Sequence, residues 1–221
     1  MQAIISYGTI EDMVEIKKVE SAMARGAFVS FPKKLFKANK FYVAPCAANE
    51  KALVAKKCPT LEGARVGCFL AYKNGKVAGR VAVVIPAGEG RATMTRLDFI
   101  DDYNVSSELL KHASTFVVDS GANLLMGPLN FYSDGHAGDG ILVEGFDRMA
   151  TADSIYNYGY YDCHIEKAGF KKEYDVLESE DDAITEKEKK SIGDLLRRRR
   201  VYSKMIAGRS QNINLADLTE K

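Results

Sequence analysis

The glycine-rich segment 127–145 carries side chains that are suited to metal or substrate binding. Asp134, His136 and Asp139 fall close together there, and carboxylate oxygens and imidazole nitrogens are common metal ligands. The D-x-H-x-x-D spacing matches none of the common metal motifs, however, so a turn stabilised by aspartate hydrogen bonds is the preferred interpretation and we expect no metal. The segment also lacks the G-x-x-x-x-G-K-[ST] pattern of a nucleotide-binding P-loop.

Five glycines among the nineteen residues of 127–145 indicate a long structured loop rather than a regular element. Such loops are often functional. Four tyrosines follow at 156, 158, 160 and 161, and they are explained equally well by a core that faces a sheet or by an aromatic or lipidic acceptor pocket. The predicted substrate-binding residues are therefore Asn130, Tyr132, Asp134, His136, Tyr156 and Tyr160.

Two other groupings are interpreted as structural. Cys163 and His164 offer a nucleophile and a base, but neighbours on a helix point about 100° apart, so a catalytic dyad is disfavoured. Arg197–Arg200 form a basic run without the interleaved aromatic residues that single-stranded nucleic acid binding favours. We expect these arginines in the last turns of a charged helix, where the helix dipole stabilises cations.

Composition limits the partners of the chain. Its 221 residues are 46% hydrophobic and 28% charged, which predicts one large folded domain with a tail. The net charge of +1 provides no overall field that would attract nucleic acid. No apolar stretch is long enough for a transmembrane segment, and four cysteines without a C-x-x-C pair favour free thiols in the cytoplasm.

The elements that must position these residues alternate between strands and helices. Two apolar runs, 66–72 and 77–85, are joined by an Asn-Gly signal that predicts a β-hairpin. Other strands are expected at 13–19, 92–100, 123–126 and 170–178. Helices are expected between 22 and 37, at 49–57, at 105–120 with Asn104 as its N-cap, and within 152–168. The predicted domain covers 1–178, and 179–221 form a charged helix from Thr185 and a C-terminal segment.

This order of elements resembles the GNAT N-acyltransferase fold. The segment Ile165-Glu166-Lys167-Ala168-Gly169-Phe170 is similar to the Y-E-K-L-G-F that closes the last core helix of that superfamily. Segments 31–45, 69–82, 127–147 and 156–170 resemble a poorly characterised bacterial GNAT-like family whose members usually carry a second GNAT-like half. The resemblance implies an α/β (α+β) fold with a central mixed, mostly antiparallel sheet and helices on both faces. It also implies either the first half alone or a shorter relative.

The resemblance implies a site for acetyl-CoA or a longer acyl-CoA at the start of the helix that follows the third core strand. Helix N-termini bind phosphate through unpaired N–H groups and the helix dipole, so Asn104, Val105, Ser106 and Ser107 become the predicted cofactor-binding residues. The usual R-x-x-G-x-G is replaced by 101–106, however. Asp101 reverses the charge, and Asn104 and Ser106 replace the two glycines.

Catalytic residues follow from the same resemblance. The tyrosine that protonates the departing thiolate in the superfamily is replaced by Ile165, and Tyr161, one turn earlier, is the substitute we predict, with a packed tyrosine as the alternative. Asp98 is the predicted base for the amine, with a solvated strand residue as the alternative. Two functions result: an N-acyltransferase in which a small amine attacks acyl-CoA directly, or a silent GNAT-shaped binding module that has lost CoA. An apolar face exposed at the end of the chain would favour a homodimer.

Overall fold

The computed structural model describes residues 13–130, 138–149, 154–179 and 195–206. They form an eight-stranded, mostly antiparallel sheet with four α-helices, which confirms the predicted fold class. In chain order the elements are β1 (Val14–Lys18), α1 (Ala22–Leu35), α2 (Ala47–Val54), a short 3₁₀ helix (Pro59–Leu61), β2 (Arg65–Lys73), β3 (Lys76–Ile85), β4 (Arg91–Phe99), α3 (Tyr103–Asp119), β5 (Leu124–Gly127), β6 (Ile141–Glu144), α4 (Tyr160–Lys167), β7 (Lys171–Ser179) and β8 (Leu195–Met205).

The sheet contains a single parallel pairing among its described strands, between β4 and β5. Strands β1 to β4 follow one another in sequence order and pair antiparallel. Strand β8 pairs with β5 and then β6 along one edge and with β7 along the other. The sheet therefore includes strands from both sides of the expected boundary between residues 178 and 179.

Alternating side chains on β3 separate two hydrophobic layers. Val81 and Val83 face the layer formed with α3 and α4, whereas Ala82 and Val84 face the layer formed with α1 and α2. Because side chains of a strand point alternately to its two faces, an almost continuous apolar run predicts a strand that is covered on both sides. The helices lie on both faces of the sheet as expected.

Four predictions about individual elements need correction. The N-cap of α3 is Asp102 rather than Asn104, and the helix starts at Tyr103, because the Asp102 carboxylate accepts the Asn104 N–H at 2.9 Å. Segment 127–145 contains a strand, β6, although it is rich in glycine, because β8 offers it a pairing partner. Helix α4 begins only at Tyr160. Arg197–Arg200 lie in β8 rather than in a helix, because β7 and β6 pair with them on both edges.

Candidate functional site

Strand β4 bends at a β-bulge around Arg96. Arg96 has a positive φ of 51°, and the β3 pairing shifts register between Arg80 and Ala82. Met94 and Leu97 both face the α3 side of the core although three positions separate them, because the bulge adds a residue. A non-glycine residue held in the left-handed region costs about 1–3 kcal/mol and marks functional positions more often than average.

A buried charged cluster lies under this bulge, on the α1 and α2 side of the sheet. Arg80 pairs with Asp98 at 2.6 Å and with Glu50 of α2 at 2.8 Å. Arg96 also pairs with Glu50, and Arg80 donates to the Phe28 carbonyl at 2.9 Å. Asp98 is therefore buried and ion-paired, so the alternative of a solvated strand residue is wrong. The reason is that Arg80 on the neighbouring strand supplies the counter-charge that a buried carboxylate requires.

The electrostatics of the cluster differ between its two carboxylates. Burial alone would raise the pKa of Glu50, but Arg80 and Arg96 outweigh it and lower that pKa below its ordinary value. For Asp98 burial is the larger effect and raises the pKa, with Arg80 opposing it. Glu50 bridges two guanidiniums whereas Asp98 contacts one, so Asp98 is the carboxylate better suited to accept a proton.

The cluster forms one wall of a small cavity. The cavity measures about 40 Å³, which is room for roughly three water molecules. The Tyr42 hydroxyl, at the same cavity, is buried without a hydrogen-bond partner within the described residues, and burial is the main cause of its raised pKa. The lining combines polar, aromatic and aliphatic residues from α1, the α1–α2 loop, α2, β3, β4, the segment after β5 and the segment before α4: Pro32, Tyr42, Val43, Pro45, Cys46, Asn49, Arg80, Arg96, Asp98, Asn130, Ser154, Ile155 and Tyr156.

Only some of the predicted substrate-binding residues reach this cavity. Asn130 and Tyr156 line it, and Tyr156 is fixed because its hydroxyl donates to the Phe146 carbonyl at 3.0 Å and accepts from Asn39 at 3.0 Å. Tyr160 lies elsewhere, at the end of β4. Tyr132, Asp134 and His136 lie outside the described residues. No cluster of metal-ligating side chains occurs in the described part of the chain.

The N-terminus of α3 is capped by the side chain of Asp102. The Asp102 carboxylate accepts the Asn104 N–H at 2.9 Å and pairs with Lys73 of β2 at 2.5 Å. Partial burial raises the pKa of Asp102, but the hydrogen bonds from Lys73, Asn104 and Val105 lower it below its ordinary value. The carboxylate therefore stays ionised and takes the position on the helix dipole that a phosphate would need.

The other predicted cofactor-binding residues are used in packing or face away. Val105 and Ser106 are buried, and the Ser106 hydroxyl donates to the Tyr103 carbonyl at 3.1 Å. Ser107 lines a separate open groove between α3 and the end of β8. The four residues predicted to hold a diphosphate thus do not present a common set of free donors, and the turn does not fit CoA in this conformation.

The two tyrosines at the start of α4 close the end of β4. The Tyr161 hydroxyl accepts the Phe99 N–H at 3.0 Å, and the Tyr160 hydroxyl donates to the Phe99 carbonyl at 2.6 Å. Tyr161 is completely buried, and burial raises its pKa well above the ordinary value. Both polar groups of the Phe99 backbone are therefore already satisfied, and the Tyr161 hydroxyl does not reach the charged cavity's lining.

His164, which the sequence analysis interpreted as structural, ties α4 to α3. His164 Nδ1 lies 3.0 Å from the Ser106 hydroxyl, and Nε2 lies 3.3 Å from Asp101. Burial lowers the pKa of His164, with Asp101 opposing it and Lys167 adding to it. The order Asp, His, Ser resembles a hydrolase triad, but Ser106 is fully buried, so no substrate reaches it and the contact is structural.

Sequence reasoning also missed Glu50, Arg80 and Arg96. Arg80 interrupts an otherwise apolar run in β3, which is a usable signal, since a buried arginine requires acidic partners. Arg96 lies in a strand with other polar residues and stands out less. Glu50 gave no such signal, because an acidic residue near the start of a short helix is ordinary.

Comparison with known proteins agrees with this fold. No protein-family model matches the chain. Protein YghO of Escherichia coli K12 is 26% identical over 157 residues, which cover 68% of this chain and 40% of YghO. The chain thus matches less than half the length of that curated relative.

Solved structures show the same architecture at low identity. A tandem GNAT protein from the clavulanic acid biosynthesis pathway superposes with a TM-score of 0.53 at 10% identity, over 76% of this chain and 46% of that one. The yncA protein of Salmonella typhimurium, solved with its cofactor acetyl-CoA, gives 0.52 at 7% identity over 89% and 96% of the two chains. These likenesses confirm the GNAT fold that the sequence resemblance implied. Within the described residues, no helix has both the length and the apolar character needed to cross a membrane.

Proposed function

We propose that this chain, whose fold is that of the GNAT acetyltransferases, is the acceptor-binding domain of an acyl-CoA-dependent N-acyltransferase and does not itself bind acyl-CoA. The small-molecule amine is held in the charged cavity under β4. The chain matches less than half the length of YghO and of the tandem GNAT protein. In this proposal the acyl donor is bound by residues other than those described. This proposal combines the two functions considered from the sequence: the chain takes part in N-acyl transfer, but as a binding module that has lost CoA.

The observation that carries the proposal is the double hydrogen bond of the Phe99 backbone to Tyr160 and Tyr161. An extended ligand that lies along the end of β4 needs free N–H and carbonyl groups there, as an added strand would. The Asp102 carboxylate supports the same conclusion, because a diphosphate at the start of α3 would meet a fixed negative charge.

The cavity supports the choice of an amine. Asp98 supplies a carboxylate whose raised pKa suits proton acceptance, and the Tyr42 hydroxyl, which has no partner among the described residues, can hydrogen-bond a polar group. Its small volume admits a primary amine or a short headgroup rather than a complete large substrate. The two arginines keep the cluster close to neutral, so a neutral amine enters at lower desolvation cost than a doubly charged one.

Thermal stability in the presence of ligands tests the proposal. A ligand at 100 times its dissociation constant stabilises by about 2.7 kcal/mol, so we expect a rise in Tm with a suitable member of a panel of small primary amines. Acetyl-CoA, a longer acyl-CoA and CoA should produce no shift. Asp98→Asn and Tyr42→Phe should weaken the amine response, whereas Tyr158→Phe, on an aromatic side chain that does not line the cavity, should keep it. A saturable Tm shift with acyl-CoA would contradict the proposal. So would the absence of a shift with every amine in the panel.

A complete acyltransferase is the second candidate, and the position of Asp98 beside the cavity favours it. The acetyl-CoA in the yncA structure shows that a fold of this shape accommodates that donor. Here Tyr160 and Tyr161 would first have to leave the Phe99 backbone. Release of free thiol from acyl-CoA in an amine screen would support this candidate, and an unchanged rate for Tyr161→Phe would remove Tyr161 as the proton donor.

A further inference from the structure

Strand β8 carries two buried arginines on the same face. Arg197 and Arg199 are 5% and 0% exposed, and their separation by two positions places both side chains on one face of the sheet. Arg198 points to the other face, where it is about one third exposed and pairs with Glu144 at 3.2 Å. The same short run therefore contains two buried arginines, Arg197 and Arg199, and a partly exposed one, Arg198, that can serve as a control.

The two buried guanidiniums share a single carboxylate contact. Glu178 of β7 accepts from Arg199 Nε at 2.6 Å and from Arg197 Nη1 at 3.4 Å. Arg199 Nη1 also donates to the carbonyls of Ile155, at 2.5 Å, and Gly140, at 3.4 Å. Two donors are left: Arg197 Nε and Arg199 Nη2 are buried and have no hydrogen-bond acceptor in the described part of the chain.

Unpaired donors on buried cations are costly. A buried donor without an acceptor loses about 1–3 kcal/mol, and a charged donor loses more. The pKa of Arg199 is lowered, mainly because the side chain is buried and also because Arg197 lies near it. The carboxylates of Glu178 and Asp139 act in the opposite direction and raise that pKa. Such orphaned donors in a folded protein commonly mark an ion or a water that completes the site.

We propose that Arg197 and Arg199 bind a small oxyanion, a carboxylate or a phosphate, that accepts hydrogen bonds from Arg197 Nε and Arg199 Nη2. An oxyanion offers two acceptor oxygens, and charge-assisted hydrogen bonds of this kind are about twice as strong as those to a neutral acceptor such as water. The site is distinct from the amine cavity, since neither arginine lines that cavity. The two are linked through Ile155, whose carbonyl accepts a hydrogen bond from Arg199 and which also lines the cavity.

Anion titrations of the whole chain test this site. The Tm is measured against sodium acetate and, separately, sodium phosphate, with the ionic strength held constant by sodium chloride. We expect a saturable rise in Tm for the unmodified chain with at least one of the two; acetate alone identifies a carboxylate site and phosphate alone a phosphate site. Arg197→Gln should raise the half-saturating concentration about tenfold, because it removes one charge-assisted hydrogen bond.

The matched control is Arg198→Gln, which removes the same charge from the neighbouring position and should leave the anion response unchanged. Equal responses of both variants and the unmodified chain, or no response of the unmodified chain, would overturn the proposal. If Arg197→Gln does not fold, NMR of the arginine Nε–H groups decides the question in the unmodified chain. The Arg197 resonance should then shift with the same midpoint as the Tm, whereas a shift confined to Arg198 would refute the site.

Discussion

Tyr161 and Phe99 are joined twice. The backbone N–H of Phe99 donates to the Tyr161 hydroxyl at 3.0 Å, and the two rings stack with their centroids 4.1 Å apart. Strand β4 therefore ends against the first turn of α4 rather than at an open slot. In the proposed function, this contact is what closes the end of β4 to an extended ligand.

We predict that Tyr161→Phe destabilises the chain by about 1–3 kcal/mol, because the ring remains while the buried Phe99 N–H loses its acceptor. Urea unfolding at equilibrium measures the change. Tyr158→Phe is the control, since the Tyr158 hydroxyl makes only a long, 3.4 Å hydrogen bond to the Leu35 carbonyl. Equal losses of unfolding free energy in the two variants would show that the hydrogen bond to the Phe99 N–H does not stabilise the chain.

Asp102→Ala should cost about 1 kcal/mol, because α3 loses its N-cap, whereas Asp102→Asn should retain most of the cap and lose only the pairing with Lys73. Because the pKa of Asp102 is lowered, its contribution is complete above the carboxyl pKa of the unfolded chain and is lost as the pH falls through the folded value. Unfolding free energies at neutral and acidic pH check both statements. A larger loss for Asn than for Ala would contradict the capping role.

Glu50→Gln should be far more damaging, by about 3–5 kcal/mol, since Arg80 and Arg96 both lose their shared buried counter-charge. The matched surface variant is Glu108→Gln, whose exposed pair with Lys111 at 3.3 Å is worth about 0–1 kcal/mol. Chemical denaturation compares the two. A loss for Glu50→Gln as small as that for Glu108→Gln would mean that the cluster is hydrated rather than buried.

His164 should make stability depend on pH in the weakly acidic range. Its pKa is lowered from 6.5 mainly by burial, so the unfolded chain takes up this proton at a higher pH than the folded chain. Its contribution is therefore complete above about pH 6.5 and falls as the pH drops through the folded pKa.

Replacing the imidazole should remove that dependence. His164→Asn keeps a polar atom near Ser106 and should flatten the stability profile between neutral and weakly acidic pH, as measured by Tm. A profile that His164→Asn does not alter would assign the pH dependence to the carboxylates.

Much of the fold could be predicted from local signals. The β2–β3 hairpin follows from its Asn-Gly turn and apolar runs, and α3 follows from helical spacing with Gly121 just beyond its end, where φ is +85°. The basic run at 197–200 misled the prediction, because a strand paired on both edges can bury arginines that a sequence pattern assigns to a solvated helix. Asp98 was found as a candidate, but its partner Arg80 on β3, and Glu50 on α2, which also pairs with Arg80, were not.

The sequence by itself determined the β2–β3 hairpin, helix α3 and the replacement of the usual R-x-x-G-x-G by residues 101–106, because each depends on residues close along the chain. The tertiary structure alone decided that Asp102 pairs with Lys73, that Tyr160 and Tyr161 contact the Phe99 backbone, and that Glu50 pairs with Arg80 and Arg96. Those contacts join residues tens of positions apart, and burial sets their strength: a charge or hydroxyl removed from water must find its partner in whichever elements the sheet brings together.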